Sequence, residues 1–370
     1  MQRKQISFKG QKIFVGIDVH KDSWRVAIAP EIGVVKGHSQ NPSAKELFDF
    51  LKKHYPDGDY HAVYESGFSG FSTYYALTDI GIDCIVMHAA DVPTTQYEEF
   101  MKTDRVDAAK LVKSLKAGLL TGIYIHERDN IDARSVVRLR KTTQKMLGGC
   151  KSRVKHLLHC NGVVLPERFS RPGTHWSKAF IRWLKEEVRL ISSTRDSLDI
   201  LIEQVESLRK TLLGATRKVR RLSRSDRFKP QYDLLTSVPG IGISVAMSIL
   251  TEIGDISRFR NEREFASYLG LIPTSHSSSG DKVSHGEKTF RGNKKLGPQL
   301  VEAAWISIYR DHGLGCAYMA YKKRMEPQKT IIRIARKLSN IIIAVLKTGE
   351  PYEPYQWIEK ERHTDRKTTS

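Results

Sequence analysis

Four carboxylates in the first third of the chain have the types and the spacing to do chemistry together. Asp18 and Glu65 each stand at the end of a short apolar segment that is typical of a β-strand. Asp104 and Asp107 are three residues apart, so a helix would place both on one face. Four acids brought together repel one another unless divalent cations lie among them, and oxygen ligands of this kind suit Mg²⁺. Paired Mg²⁺ ions suit phosphodiester chemistry.

The alternative interpretation gives the same acids ordinary structural roles. Asp104 and Asp107 would be surface residues near the start of a helix, and Asp18 and Glu65 would belong to separate salt bridges. The charge of the whole chain favours the metal site, because its 370 residues carry a formal net charge of +20. Such an excess of lysine and arginine indicates a polyanionic partner, most often nucleic acid. No apolar run approaches the ~20 residues of a membrane span, so we expect no membrane partner.

The elements that must position these acids are predicted to form an α/β sheet domain. In residues 12–30, large β-branched or aromatic side chains recur at every second position on either side of a short polar turn, which predicts a β-hairpin. The elements expected after it are a helix over 43–54 with Ser43 as N-cap, a strand over 61–65, a helix over 71–80, a strand over 83–88, and a helix or loop and helix over 97–116.

Three segments carry a resemblance to a known family. GIDVHKDSW, YESG and TDRVDAAKLV resemble the D-E-D-D pattern of bacterial insertion-sequence transposases of the DEDD type, which are RNA-guided serine recombinases that work with a bridge RNA. The resemblance implies an RNase H-like (RuvC-like) domain with Asp18, Glu65, Asp104 and Asp107 as its acidic quartet. It also implies donor and target DNA as substrates, a guide RNA and a homo-oligomer, either a dimer or a tetramer.

The middle of the chain is basic and is expected to be helical. Residues 133–166 contain no acid, whereas a solvated helix usually mixes both signs, so we expect a surface that faces nucleic acid. The candidate contacts are Arg134, Arg138, Lys141 and Lys145. Farther along, apolar residues recur every seven positions from Leu184 through Ile191 to Leu212, which predicts an imperfect coiled coil. That seam can pack on a neighbouring helix of the same chain or on another subunit.

The last third is expected to form a mostly α-helical domain that begins with a helix-hairpin-helix. In LLTSVPGIGISVAMSIL, Gly240 and Gly242 would let the backbone approach a phosphate, and the amides at the start of the second helix could hold it. A tight helical turn without a ligand is the alternative. A Ser/Gly-rich loop follows, then helices over 296–308 and 331–346, and a polar tail from residue 349 that is expected to be disordered after Trp357.

The Ser/Gly-rich loop is similar to the C-terminal transposase domain of the same family. The family pattern places a Ser-Gly pair after a proline, which matches Ser279 and Gly280 and makes Ser279 the nucleophile that the resemblance implies. Ser278 is the alternative, because the loop measured from Pro273 is one residue longer than the pattern. The basic element that follows supplies candidate phosphate contacts or, equally, ordinary surface cations: Arg291, Lys294 and Lys295.

The boundaries expected from these patterns are 1–130 for the RuvC-like domain, 131–228 for the basic helices and coiled coil, 229–348 for the C-terminal transposase domain and 349–370 for the tail. Four scattered cysteines, Cys84, Cys150, Cys160 and Cys316, fit a reducing cytosol. The resemblance implies that this is a bacterial cytoplasm, with nucleoid association during activity. The spacing of the cysteines matches no standard zinc site. Two alternatives to the serine recombinase remain: a metal-dependent hydrolytic resolvase or transposase without a covalent intermediate, and a non-catalytic nucleic-acid-binding protein.

Overall fold

The chain folds as two compact units, Met1–Ile125 and His126–Ser370. The computed structural model describes residues 7–93, 104–277, 283–288 and 292–354. The expected finer division at residues 131, 229 and 349 stays a prediction. None of the helices in the described ranges is long and apolar enough to cross a membrane.

The first unit contains one five-stranded mixed sheet with helices. Its elements are β1 (Lys12–Val19), β2 (Trp24–Pro30), β3 (Lys36–Gln40), α1 (Ala44–His54), β4 (Asp59–Glu65), α2 (Ser72–Asp79), β5 (Asp83–Met87) and α3 (Asp104–Lys116). The predicted hairpin, strands and helices of this unit are confirmed to within a few residues, and Ser43 caps α1 by accepting from the amide of Glu46. Residues 97–103 of the last predicted helix lie outside the described part.

The strand order of the sheet is β3-β2-β1-β4-β5. β2 is antiparallel to β1 and β3, whereas β1, β4 and β5 run parallel to one another. This mixed sheet with its helices is consistent with the RNase H-like fold that the resemblance implies. The sequence patterns did not predict β3, because its residues KGHSQ are polar and largely exposed and show no apolar alternation.

The two faces of β1 pack on different parts of the unit. Ile13, Val15 and Ile17 point to one face and are fully buried. Gly16 points to the other face, where α3 lies so close that a Cβ atom at Gly16 would come within 2.4 Å of the carbonyl oxygen of Ala108. A glycine is therefore required in this strand for α3 to approach the sheet.

The second unit is mostly helical. Its helices are α4 (Arg128–Cys160), α5 (Lys178–Glu186), α6 (Ser192–Ser223), α7 (Lys229–Ser237), α8 (Ile243–Ile253), α9 (Glu262–Tyr268), α10 (Leu296–Arg310), α11 (His312–Lys322) and α12 (Pro327–Thr348). The sequence patterns did not predict α11. They placed the start of α10 correctly and its end two residues early, and they placed the start and the end of α12 four and two residues inside its observed limits. The tail after residue 354 lies outside the described residues.

The long helices α4 and α6 form an antiparallel pair within the chain. Arg140 in α4 donates to Thr216, and Cys150, ten residues later, donates to Gln204, so the two helices run in opposite directions. The predicted seven-residue seam is wrong at its start. Leu184 belongs to the separate helix α5, and Ile191 is 83% exposed at the residue that precedes α6.

A tight turn that contains Gly240 connects α7 and α8, the segment predicted as a helix-hairpin-helix. Gly240 has a φ of +86°, a conformation that favours glycine. A Cβ at Gly240 would lie 2.4 Å from the carbonyl oxygen of Ala303 and 2.5 Å from Oγ of Ser307, both in α10. The turn therefore packs tightly on α10, and Ser307 donates to the carbonyl oxygen of Pro239 at 2.6 Å.

The segment predicted as a Ser/Gly-rich loop contains two strands. β6 (Pro273–Ser277) and β7 (Val283–Lys288) pair antiparallel in a two-stranded sheet. The prediction of a continuous loop was wrong for these residues, because pairing between two strands supplies backbone hydrogen bonds that local serine and glycine content does not indicate. Residues 278–282 and 289–291 lie outside the described part.

Candidate active site

Asp18 and Glu65 lie at the same edge of the sheet. Ile17 in β1 is paired with Tyr64 in the parallel strand β4, so the next residue in each strand is Asp18 and Glu65. Neighbouring strands are about 4.8 Å apart. Side chains alternate between faces, so Asp18 shares the face of Gly16, and Glu65 shares the face of Val63. That face is the one covered by α3, since Val63 and Leu111 belong to one buried cluster.

The direction of α3 brings its first turn to this edge. Lys116, the last residue of α3, donates from Nζ to the carbonyl oxygen of Pro30 at 3.1 Å. Pro30 is paired with Ile13, at the beginning of β1. The last turn of α3 therefore lies near the beginning of β1, and its first turn, with Asp104 and Asp107, lies toward the end that carries Asp18. The fold therefore brings β1, β4 and the start of α3, the three elements that carry the predicted acids, to one edge of the sheet.

A histidine that the sequence patterns did not single out contacts this edge. Nε2 of His20 lies 3.0 Å from Oδ2 of Asp18, and the two side chains are 49% and 24% exposed. The imidazole N–H can donate to the carboxylate and hold its orientation. The signal was present in the sequence: His20 follows Asp18 by two residues, which puts both on one side of an extended chain.

The acidic edge has the donor chemistry of a divalent-cation site. Its oxygen-bearing side chains are those that Mg²⁺ prefers. Asp107 is half-buried, and the side chain of Asp104 lies outside the described part. Among the side chains that the structure does describe, no group of three or more His, Cys, Asp or Glu residues is arranged to hold a metal ion. The identity of the cation and the full ligand set therefore remain proposals.

The predicted nucleophile belongs to the segment between β6 and β7. Ser279, its alternative Ser278, the neighbouring Gly280 and the predicted phosphate contact Arg291 all lie outside the described residues. The chain on either side of them is described. Gly292 packs against the backbone of Gly270, where a Cβ would come within 2.4 Å of the Gly270 Cα. The chain entering the β6–β7 hairpin and the chain leaving it therefore touch at its base.

In the second unit, Arg138 is held by a buried carboxylate. Its Nε and Nη2 donate to the two carboxylate oxygens of Glu252, each at 2.7 Å. Glu252 is 4% exposed. Although burial favours the neutral acid, the hydrogen bonds and charge of Arg138 outweigh it and lower the pKa of Glu252 below its ordinary value. Arg138 thus has a structural partner, and its contact with nucleic acid stays a prediction.

The structure brings two separately predicted basic segments together. Nζ of Lys141, in α4, donates to the carbonyl oxygen of Lys295 at 2.6 Å. Arg134 lies close enough for its charge, with that of Lys295, to lower the pKa of Glu252. Lys145 and Lys294 are exposed. Sequence patterns could not join the two segments, because they are about 150 residues apart in the chain.

The two glycines of the helix-hairpin-helix turn have different surroundings. Gly240 packs tightly against α10, and this packing explains why the position is a glycine even if no ligand binds there. Gly242 precedes α8 with a φ of −97°, and a Cβ there would meet no atom within 4 Å. Only Gly242 therefore lies on an open surface, and its phosphate contact stays a prediction.

Two family profiles match the chain. The profile described as Transposase, of the IS110 DEDD type, matches residues 15–160, and the profile described as Transposase IS116/IS110/IS902 family matches residues 232–318. The first segment contains the four acids, and the second contains the helix-hairpin-helix turn and the serine segment. Together the matched segments make up more than half of the chain.

Individual relatives agree with these profiles. A putative transposase y4qE of Sinorhizobium fredii is 27% identical over 66% of this chain and 58% of its own length. The transposase for insertion sequence element IS1533 of Leptospira borgpetersenii is 22% identical over 90% of this chain and 97% of its own length. The pilin gene-inverting protein of Moraxella bovis is 34% identical over 32% of this chain and 38% of its own length. The two profiles, found in this order in one chain with the acidic edge inside the first, identify this protein as an insertion-sequence transposase of the IS110/IS116 family.

Proposed function

We propose that this transposase cuts and rejoins donor and target DNA through a covalent bond to Ser279, assisted by Mg²⁺ at the acidic edge. The observation that carries the proposal is the convergence of Asp18, Glu65 and the first turn of α3 at one edge of an RNase H-like sheet. A protein that only bound nucleic acid would not need acids collected at one edge, because carboxylates repel phosphates.

Asp18, Glu65, Asp104 and Asp107 would hold the cation. A bound divalent ion supplies Lewis-acid stabilisation of the negative charge that develops on phosphate oxygens. His20 keeps the carboxylate of Asp18 in one orientation, and Gly16 allows α3 to approach closely enough for its acids to reach the same edge. These residues position the site and do not themselves react.

The proposed step at Ser279 is a phosphoryl exchange. Its hydroxyl oxygen attacks the phosphorus of a DNA phosphodiester, one phosphorus–oxygen bond forms and the bond to the departing strand breaks. The serine hydroxyl gives up its proton, and the departing oxygen takes up a proton, so that strand leaves as a hydroxyl with no net change in protons. The covalent phosphoserine conserves the energy of the broken bond, so the hydroxyl of another strand can reverse the step and reseal the DNA without ATP.

The name of one relative also supports the rejoining of DNA strands. The Moraxella bovis protein is named for the inversion of a pilin gene, and an inverted segment must be joined again at both ends. We further propose that a bridge RNA pairs with the DNA sites and that the active species is a homo-oligomer. The strong basicity of the chain supports a second polyanion beside the DNA substrate. Incubation with RNA from the flank of its own element, scored for recombinant junctions, tests the RNA requirement.

The test of the nucleophile is a denaturing gel of labelled DNA after reaction in Mg²⁺. The wild type should give a protein–DNA adduct that survives SDS, and Ser279→Ala should lose both adduct and cleavage while it still binds DNA. Ser277→Ala is the matched control and should keep the adduct. Loss in Ser278→Ala with retention in Ser279→Ala would move the nucleophile by one residue. Cleavage by the wild type without any adduct would instead support hydrolysis by a metal-activated water.

A further inference from the structure

An arginine lies directly beside Asp18 in the first unit. Arg25 belongs to β2, and its partner across the antiparallel ladder with β1 is Asp18. Directly opposite residues of an antiparallel pair point to the same face of the sheet, with their Cβ atoms about 4.5–5.5 Å apart. The side chain of Arg25 therefore begins next to the first acid of the proposed site.

The core fixes the pairing that places Arg25 beside Asp18. Trp24, the residue before Arg25, is 4% exposed and packs in the main core of the sheet. A shift of β2 by one residue would bury the arginine and expose the tryptophan. The turn between β1 and β2 also closes tightly, since the amide of His20 donates to the carbonyl oxygen of Ser23 at 3.2 Å. The position of Arg25 relative to Asp18 is thus a property of the folded sheet.

Arg25 is exposed although it lies on the face of the sheet that α3 covers. Ala27 and Ala29, the next residues of β2 on that face, are 3% and 1% exposed and pack with Ala108 of α3. The helix therefore covers β2 as far as Ala27 and leaves the end that carries Arg25 open to solvent. Asp18, at the same open end, has a side chain that is 24% exposed.

Three charged residues stand in a row across this open end of the sheet. Asp18 in the central strand β1 has Arg25 on one side, in β2, and Glu65 on the other side, in β4. All three lie on the face of α3, and neighbouring strands are about 4.8 Å apart. A DNA phosphate that is bound at the two acids would therefore lie within reach of the long arginine side chain.

The fold leaves the guanidinium of Arg25 free to bind a ligand. Opposite charges directly across an antiparallel pair attract each other, so an ion pair between Arg25 and Asp18 would be the ordinary arrangement. Oδ2 of Asp18 lies instead 3.0 Å from Nε2 of His20. In the part of the chain that the structure describes, the side chain of Arg25 makes no hydrogen bond and no ion pair.

We propose that Arg25 is a catalytic residue that binds the phosphate at which the DNA is cut and stabilises the charge that this phosphate gains in the transition state. The acids of the edge repel a phosphodiester, and a cation beside them offsets that repulsion. When a further oxygen bonds to phosphorus, negative charge builds up on the two non-bridging oxygens. A planar guanidinium can donate to both of these oxygens, and a donor that is already in place lowers the barrier.

This role rests on the proposed part of the acidic edge in DNA cleavage, but it does not rest on Ser279. A phosphate that is attacked by a serine and one that is attacked by water gain charge on the same non-bridging oxygens. Arg25 would therefore act in either reaction.

The test compares the rate of DNA cleavage with DNA affinity in Arg25→Gln. Cleavage is measured in Mg²⁺ in a single turnover, with protein in excess, under conditions in which the wild type cleaves. The loss of one such donor should slow this rate ~100-fold or more. Affinity is measured in EDTA and should fall by no more than ~8-fold at 0.1 M salt, the effect of one lost phosphate contact that releases ~0.9 counterion. A larger loss in rate than in affinity is expected of a group that acts in the transition state.

Lys36→Gln is the matched control, because it removes one exposed positive charge from the same sheet. Lys36 lies in β3 opposite Ile28, three residues along β2 from Arg25 and on the other face. Neither the cleavage rate nor the affinity should change in this variant. A cleavage rate of Arg25→Gln equal to that of Lys36→Gln would overturn the proposal, and so would a loss of affinity with an unchanged rate.

Rescue with free guanidinium separates a catalytic role of Arg25 from a structural one. Arg25→Ala should lose cleavage as Arg25→Gln does, and guanidinium chloride below its denaturing concentration should restore part of it at constant ionic strength, because the ion can occupy the vacated position. Lys36→Ala should not respond. Lack of restoration would overturn the proposal, and faster hydrogen exchange in β1 and α3 of the variant would then assign Arg25 a structural role.

Asp18→Asn distinguishes a failure of this inference from a failure of the proposed function. If Asp18→Asn is inactive while Arg25→Gln cleaves as the wild type does, only the role of Arg25 is wrong. If Asp18→Asn itself cleaves as the wild type does, the reaction does not take place at the acidic edge, and both are wrong.

Discussion

The substitution Gly240→Ala tests the packing role of the turn between α7 and α8. Alanine would have to adopt a φ of +86° and would bring its Cβ within 2.4 Å of the Ala303 carbonyl oxygen. The backbone conformation costs about 1–2 kcal/mol and the forced shift of α10 about 1–3 kcal/mol, which together give about 2–5 kcal/mol. That is a large share of the about 5–15 kcal/mol that stabilises a typical domain.

The matched control is Gly242→Ala, two residues away. Gly242 has a negative φ, and a Cβ atom at this position would have no neighbour within 4 Å, so alanine should change the unfolding free energy by no more than about 1 kcal/mol. Because the chain has two units, global unfolding would mix them. Hydrogen exchange of peptides from α8 and α10, followed by mass spectrometry, reports the second unit alone. Equal exchange in the two variants would refute the packing argument.

Two further predictions concern the acidic edge and the pH dependence of stability. Gly16→Ala should displace α3, which would speed hydrogen exchange in α3 and reduce strand cleavage. The control is Gly37→Ala, whose Cβ would meet only one atom at 3.4 Å and which should change neither hydrogen exchange nor cleavage. His126 is 6% exposed, and its pKa is lowered to about 4 by burial and then by the charges of Arg134 and Arg258. As the pH falls below 6.5, this histidine is therefore protonated in the unfolded chain before it is protonated in the folded one. The second unit should therefore lose about 2 kcal/mol between pH 8 and pH 5 and further stability down to about pH 4. Urea denaturation of His126→Gln should show a shallower loss, and parallel curves for variant and wild type would contradict the assignment.

Local patterns were sufficient for most elements of the first unit. The alternation in β1 and β2 predicted the hairpin because the large apolar side chains of both strands pack in one core on one face. The smaller residues stand on the other face, where Ala27 and Ala29 pack with Ala108 of α3. Ser43 marked the start of α1 because the N-cap hydrogen bond forms within three residues. The strand-end positions of Asp18 and Glu65 were equally visible, since each follows an apolar segment. The sequence patterns did not predict β3, because it is polar and its stability depends on pairing with β2.

Only the tertiary structure decided which of these residues meet. Asp18 and Glu65 become neighbours because β1 and β4 pair in parallel in one particular register, and α3 reaches them because Gly16 has no side chain. In the second unit, a run of basic residues in α4 looked like a uniform surface. The fold gives Arg138 a buried partner 114 residues away and brings Lys141 to Lys295 across 154 residues. The sequence shows which residue types are present and how they repeat locally. Contacts between residues more than 100 positions apart arise only from the packing of whole helices and strands.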